Sequence, residues 1–90
     1  ARVYTRSEKR DSKNMKVVIA KVDQNLFDGE AKSLTVPAAD GEMTVLPEHM
    51  PVVTTLKAGT ITVRSAQGEQ QFPIESGVLE VRRDGATVIL

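Results

Sequence analysis

The sequence predicts an all-β fold, an antiparallel β-sandwich or small barrel of eight or more short strands. β-branched residues gather in runs of four to seven, and apolar and polar side chains alternate within them. This period is typical of strands with one face in the core and one in water. Turn residues divide the runs about every 8–12 positions. No window shows a convincing helical stripe, and 90 residues leave no room for a second core.

Eight runs are expected to form strands. The alternation is clearest in the fifth run, where Ile61 and Val63 face one way whereas Thr62 and Arg64 face the other. In the SLTV part of the second run, leucine and valine likewise lie opposite serine and threonine. In chain order the runs are KVVIAKV (16–22), EAKSLTV (30–36), EMTVL (42–46), PVVTTL (51–56), TITVRS (60–65), QQFPI (70–74), VLEVR (78–82) and TVIL (87–90).

Glycine and proline divide these runs for physical reasons. Gly59, Gly68 and Gly85 lie between consecutive runs, where tight hairpins require residues with positive φ. Pro73 lies inside the sixth run and cannot donate a ladder hydrogen bond. We therefore expect that strand at the edge of a sheet, or bulged at the proline.

The composition limits both the core and the chemistry. Cysteine is absent, which excludes disulfides and thiolate metal sites and suits a reducing compartment. The aromatic residues are Tyr4, Phe27 and Phe72, so Val, Ile and Leu must build the core. We expect Phe27 and Phe72 to anchor it, at a cost of ~3–5 kcal/mol for truncation of either to Ala. Since no apolar run approaches the ~20 residues of a spanning helix, no direct membrane insertion is expected.

The first 14 residues differ from the rest of the chain in charge. They hold five Lys or Arg side chains against two carboxylates, whereas the whole chain has no net charge. Such a basic head could bind nucleic acid or anionic lipid. The preferred interpretation is an unfolded leader or a cloning scar, because apolar residues are scarce and Met15 looks like a native start. We predict a flexible basic segment over residues 1–14 and a single β-sandwich domain over residues 15–90.

Catalytic and metal-binding motifs are not found in the sequence. One histidine and no cysteine cannot supply the roughly four ligands of a structural zinc site. There is neither a GxSxG elbow nor a phosphate-binding loop. Glu42 and Glu48 flank His49, but so small a sandwich can hardly hold a deep pocket for acid–base catalysis. The domain is interpreted as a binding module without a cofactor. Its acidic body lacks stacking aromatic residues, which argues against nucleic acid.

One stretch is specific enough to suggest a family. DGEMTVLPEHMPVVTTLKAG (40–59) resembles the epsilon subunit of F-type ATP synthases, which is called delta in mitochondria. LFDGEAKSLTVPAADGE (26–42) and SGVLEVRRDGATVIL (76–90) resemble further segments of that family, so the resemblance covers residues 16–90. Thr44, Glu48 and Ser76 stand where the family usually has glycine. These departures alter loops and leave the arrangement of strands intact.

The resemblance implies an antiparallel β-sandwich of about ten strands with a non-catalytic role. In this family the sandwich packs on the gamma subunit and rests on the ring of c subunits. It is part of the rotor, the central stalk that couples ion flow to ATP synthesis. The implied location is peripheral, on the cytoplasmic face of a bacterial inner membrane or on the matrix or stroma side in an organelle. Because the sequence stops at Leu90, we expect no C-terminal helical hairpin, and hence no ATP binding or inhibition of hydrolysis by one.

The resemblance also suggests contact residues for the ring. Glu42, Glu48 and His49 are expected to contact the polar loops of the c subunits. A carboxylate can pair with arginine there, and a histidine held between prolines can donate and accept hydrogen bonds. The alternative for His49 is a hydrogen bond across its own loop.

The run PVVTTLKAG is the candidate for contact with the gamma subunit. Val53, Thr54 and Leu56 are the expected contact residues, and a position in the core is an equal alternative for Val53 and Leu56. Two other classes of function stay open. One is a free-standing β-sandwich adaptor that binds other proteins, and the other is an enzyme, for which the sequence offers no set of residues.

Overall fold

The structure is a computed structural model that describes residues 2–4, 14–47 and 50–90. The described residues form ten strands and no helix, which confirms the all-β prediction. The strands are β1 Arg2–Tyr4, β2 Met15–Lys21, β3 Gln24–Ala31, β4 Ser33–Ala38, β5 Gly41–Val45, β6 Val52–Leu56, β7 Gly59–Ser65, β8 Gly68–Ile74, β9 Gly77–Arg82 and β10 Gly85–Ile89.

The strands form one continuous sheet that curls into two layers. Their order is β1-β5-β4-β6-β9-β10-β2-β3, while β7 pairs with β4 and β8 pairs with β7. β4 pairs with β7 over residues 33–35 and then meets β6 through a single residue pair, Ala38 with Leu56. The sheet turns over at this narrow connection. The first layer is therefore β1, β5, β4, β7 and β8, and the second layer is β6, β9, β10, β2 and β3.

Two of the ladders are parallel in an otherwise antiparallel sheet. β1 runs parallel to β5, and β10 runs parallel to β2. The second ladder pairs Val17 with Ala86 and Ile19 with Val88, so it joins the two ends of the domain. A parallel pair needs a long connection, which here is the whole intervening chain.

An aliphatic core fills the space between the layers, as predicted. Phe27 and Phe72 are half-buried at its margin, where their rings meet edge to face with centroids 6.2 Å apart. They join β3 of the second layer to β8 of the first, so they close one side of the sandwich rather than anchoring its centre. The largest fully buried side chains are Val17, Ile19, Leu34, Val36, Val45, Ile61, Val63, Leu79 and Val88.

One predicted strand is wrong. The run over residues 30–36 spans the boundary between β3 and β4, since the chain bends at Lys32. β3 was not predicted, because QNLFDGEA is largely polar. It is an edge strand with β2 as its neighbour, and its register shifts between Ile19 and Ala20. The other predicted strands match the observed bounds to within one or two residues, and β8 with Pro73 is an edge strand as expected.

Glycine serves two different purposes in the turns. Gly68 closes the β7–β8 hairpin with a φ of 123°, which confirms the prediction for that position. Gly59 and Gly85 do not have positive φ, so the prediction for them is wrong. A Cβ atom at Gly85 would collide with the backbone carbonyl of Lys16 on β2. Glycine is needed there because two strands approach closely.

Part of the N-terminal segment is described. Arg2–Tyr4 form β1, whose partners on β5 are Met43, Thr44 and Val45. This strand differs from the expectation that the whole segment stands outside the fold. Residues 1 and 5–13 lie outside the described residues, and the flexibility expected of the segment as a whole stays a prediction.

Candidate functional site

The outer face of the second layer carries an exposed apolar patch formed by Val53, Val78 and Ile89. Paired residues on neighbouring strands share a face; Val78 is paired with Ile89 and lies diagonally beside Val53. The exposed fractions are 67% for Val53, 40% for Val78 and 56% for Ile89. On the adjacent β2, Val18 and Ala20 are half-buried and extend the patch.

The same strands point their alternate residues into the core. Leu79 and Val81 on β9 are buried, and so is Val88 on β10. Because side chains alternate between the two faces of a strand, the patch residues face away from the core. These strands therefore carry apolar residues on both faces, and the sandwich covers one of the faces.

Charged side chains border the patch towards the turn between β9 and β10. Arg82 lies 3.2 Å from a carboxylate oxygen of Glu80 and donates a hydrogen bond of 3.1 Å to the Thr87 hydroxyl. Lys16 and Asp28 form a second ion pair at 3.6 Å. We call Lys16, Asp28, Glu80 and Arg82 the charged border. Its members are about half exposed, so each pair adds only ~0–1 kcal/mol to stability, but the charges can orient a partner.

The three residues predicted to contact a gamma subunit do not share a face. Val53 lies on the surface in the apolar patch, opposite Glu80. Thr54 is half-buried on the inner side, where it is paired with Leu79. Leu56 is 5% exposed and belongs to the core. Of the three, Val53 alone is therefore placed to reach another molecule.

Sequence reasoning missed Val78 and Ile89 as surface residues. A signal for them existed in VLEVR and TVIL, where one apolar residue breaks the alternation of each run. In a two-layer sandwich, a strand that is apolar on both faces must leave one of them uncovered. Such a run therefore points to a surface that the sandwich itself does not cover.

Glu42 is the described residue among those predicted to contact the ring. It is exposed on β5, opposite Pro37 on β4, and follows Gly41, whose φ of 133° closes the turn between the two strands. Glu48 and His49 lie outside the described residues. The described part of their loop between β5 and β6 includes Met50, which is exposed.

Two other kinds of feature are absent from the part of the chain that the structure describes. No group of three or more His, Cys, Asp or Glu residues there could hold a metal ion. None of its segments is a helix long and apolar enough to cross a membrane.

Comparison with protein families gives a match over almost the whole chain. Residues 14–90 match the family described as ATP synthase, Delta/Epsilon chain, beta-sandwich domain. An ATP synthase epsilon chain from Hydrogenovibrio crunogenus is 41% identical over 76 residues, which cover 84% of this chain and 53% of that relative. The chain thus spans about half the length of this curated relative.

Two solved structures share the fold. A chain in the OSCP/F1/c-ring assembly of the Euglena gracilis mitochondrial ATP synthase, in rotational state 1, has a TM-score of 0.80 at 19% identity. That match covers 96% of this chain and 56% of the other. A chain of the central stalk and c-ring of the Tetrahymena thermophila mitochondrial ATP synthase has a TM-score of 0.72 at 10% identity. It covers 89% of this chain and 65% of the other. At such identities these matches show the fold alone.

Proposed function

Since the chain belongs to the family of ATP synthase delta and epsilon chain β-sandwich domains, we propose that it is the sandwich part of a rotor subunit in an F-type ATP synthase. In this role the domain is non-catalytic and joins the gamma subunit to the ring of c subunits. The observation that carries the proposal is the apolar patch, a surface that the sandwich itself leaves uncovered.

The apolar patch is the surface that meets the gamma subunit. Burying one exposed Val or Ile side chain completely is worth ~1.5–3 kcal/mol, and Val53 and Ile89 keep more than half of their surface for a partner. Once the gamma subunit covers them, three such residues supply the centre of an interface. The charged border along one side fixes the orientation in which the partner docks. Leu56 contributes indirectly, since it supports β6 from the core.

The surface around Glu42 faces the c-ring. Its exposed carboxylate can accept charge-assisted hydrogen bonds from arginine side chains in the polar loops of the ring. Glu48 and His49 contribute to the same contact from the loop between β5 and β6. The two surfaces lie in different layers, so one domain can hold both partners at once.

Both contacts place the domain at the membrane without inserting it. The c-ring lies in the bilayer and the gamma subunit lies outside it, so a domain between them is a peripheral component. In a bacterium this is the cytoplasmic face of the inner membrane. In an organelle it is the matrix or stroma side.

Co-purification with the gamma subunit of the same genome tests the proposal. A tagged chain co-expressed with that subunit should retain it through size-exclusion chromatography. Membranes that contain the c-ring should retain the chain when gamma is also present. A chain that binds neither, while folded by circular dichroism, would exclude the rotor function and favour the free-standing adaptor.

A further inference from the structure

Apart from β1 itself, the described strands leave two edges of the sheet open and one covered. β3 and β8 each have one neighbour, whereas β5 has β4 on one side and the short β1 on the other. An open edge presents unpaired backbone N–H and C=O groups to any extended chain that meets it. The three edges therefore differ in how readily another strand could add to them.

The two open edges carry features that oppose strand addition. β8 contains Pro73, which has no N–H to donate, and the charged Glu69. β3 contains the charged residues Asp28 and Glu30, and its register with β2 is irregular. Charges, proline and bulges are the usual means by which an edge strand avoids pairing with other chains.

The edge of β5 has almost none of this protection. Its sequence GEMTV contains no proline and no cation, and Glu42 is its one charge. Met43 and Val45 are buried, which holds the strand regular and its register fixed against β4. It is on this unprotected edge that the structure adds a strand. Arg2–Tyr4 lie parallel to residues 43–45 in an unshifted register.

We propose that the edge of β5 is a site for the addition of an extended peptide strand, and that Arg2–Tyr4 is its removable occupant. A three-residue ladder forms few hydrogen bonds, each with a small net contribution, and ordering its residues opposes them. The segment Arg2–Tyr4 therefore detaches from β5 and pairs with it again while the domain stays folded. The matched partner is main chain in extended conformation, because the contact is a backbone ladder.

Two variants of the full chain separate backbone pairing from every other role of the segment. Val3→Pro with Tyr4→Pro removes both amide donors and fixes φ at both positions, which disfavours a parallel ladder. Val3→Ala with Tyr4→Ala keeps both amides and removes the side chains. Hydrogen exchange is followed at those amides of residues 43–45 that point away from β4. In the proline variant they should exchange at least ~10-fold faster than in the unchanged chain, whereas the alanine variant should keep most of its protection.

Addition of a strand in trans tests whether the occupant is removable. A synthetic peptide of residues 1–14, at millimolar concentration, is titrated into the proline variant. Amide chemical shifts should move at Met43, Thr44 and Val45, and their protection should rise again. Unchanged exchange in the proline variant, or peptide shifts confined to β3 or β8, would overturn the proposal. So would a peptide that causes no shifts at all.

Discussion

Substitution of Val53 by aspartate should weaken binding to the gamma subunit without unfolding the domain. Val53 is 67% exposed in the apolar patch and lies opposite Glu80 on β9. Complete burial of a valine side chain is worth roughly 1.5 kcal/mol at the lower end of the usual range, so about 1 kcal/mol is still available to an interface. Aspartate loses this contribution and brings a carboxylate beside that of Glu80.

The added carboxylate increases the loss. An unpaired charged group that is desolvated in an interface costs more than a neutral group, for which ~1–3 kcal/mol is typical. Together with the lost apolar contact, the expected weakening is at least about 2 kcal/mol, or roughly 30-fold in the dissociation constant. Folding should change little, because substitutions at exposed positions usually alter stability by less than ~1 kcal/mol, even in a strand.

Thr60→Asp is the matched control. Thr60 is exposed on β7, on the outer face of the first layer, so it receives the same new charge in a strand that lacks the apolar patch. Binding is measured by calorimetry against purified gamma subunit, and folding by thermal unfolding followed with circular dichroism. If Val53→Asp binds as tightly as the unchanged chain, the apolar patch is not the interface. Equal weakening by Thr60→Asp would indicate a general effect of net charge instead.

Three further outcomes are expected. Leu79→Ala should lower the free energy of unfolding in urea by ~2–5 kcal/mol, because Leu79 is fully buried. Phe72→Ala should cost less, because its ring is half-buried at the margin of the core. Equal losses for the two variants would contradict this ranking. The double substitution Glu42→Ala and His49→Ala should reduce docking to c-ring membranes several-fold, since exposed charged contacts are worth ~0.2–1 kcal/mol each. The reduction should be larger at low salt, where charges are screened less. Binding to the gamma subunit should stay intact. The chain should not bind ATP in calorimetry, since its sequence has no phosphate-binding loop, and micromolar affinity would refute this.

The strands with one buried face could be predicted from the sequence, and β3 could not. In β7 the buried residues Ile61 and Val63 alternate with residues that are less buried. This alternation of apolar and polar side chains is visible in the sequence itself. β3 has its one fully buried side chain at Ala31, and most of its other residues are exposed or polar. Its residues therefore look like a loop. The parallel ladder of β2 with β10 gave no local signal either, since pairing between distant segments depends on the whole fold.

The candidate site shows a similar limit. The sequence indicated that PVVTTL is a strand with an apolar surface, but it could not decide which of its faces lies in the core. The register settles this: Leu56 is opposite Gly77 on the inner side, and Val53 is opposite the exposed Glu80. A strand with apolar residues on both faces fits two orientations equally well. Only pairing with β9 distinguishes the surface residue from the core residue.

The arrangement of the apolar patch argues that it serves a partner rather than the fold. Single exposed apolar residues are common and need no explanation. Here Val53, Val78 and Ile89 occupy consecutive strands, β6, β9 and β10, where Val78 is paired with Ile89 and lies diagonally beside Val53. A two-layer sandwich has no third layer to cover the patch. The same positions could be polar at no cost to the core, since the core uses the opposite face. Because folding of the sandwich does not require this surface, a contact made outside the sandwich explains it best.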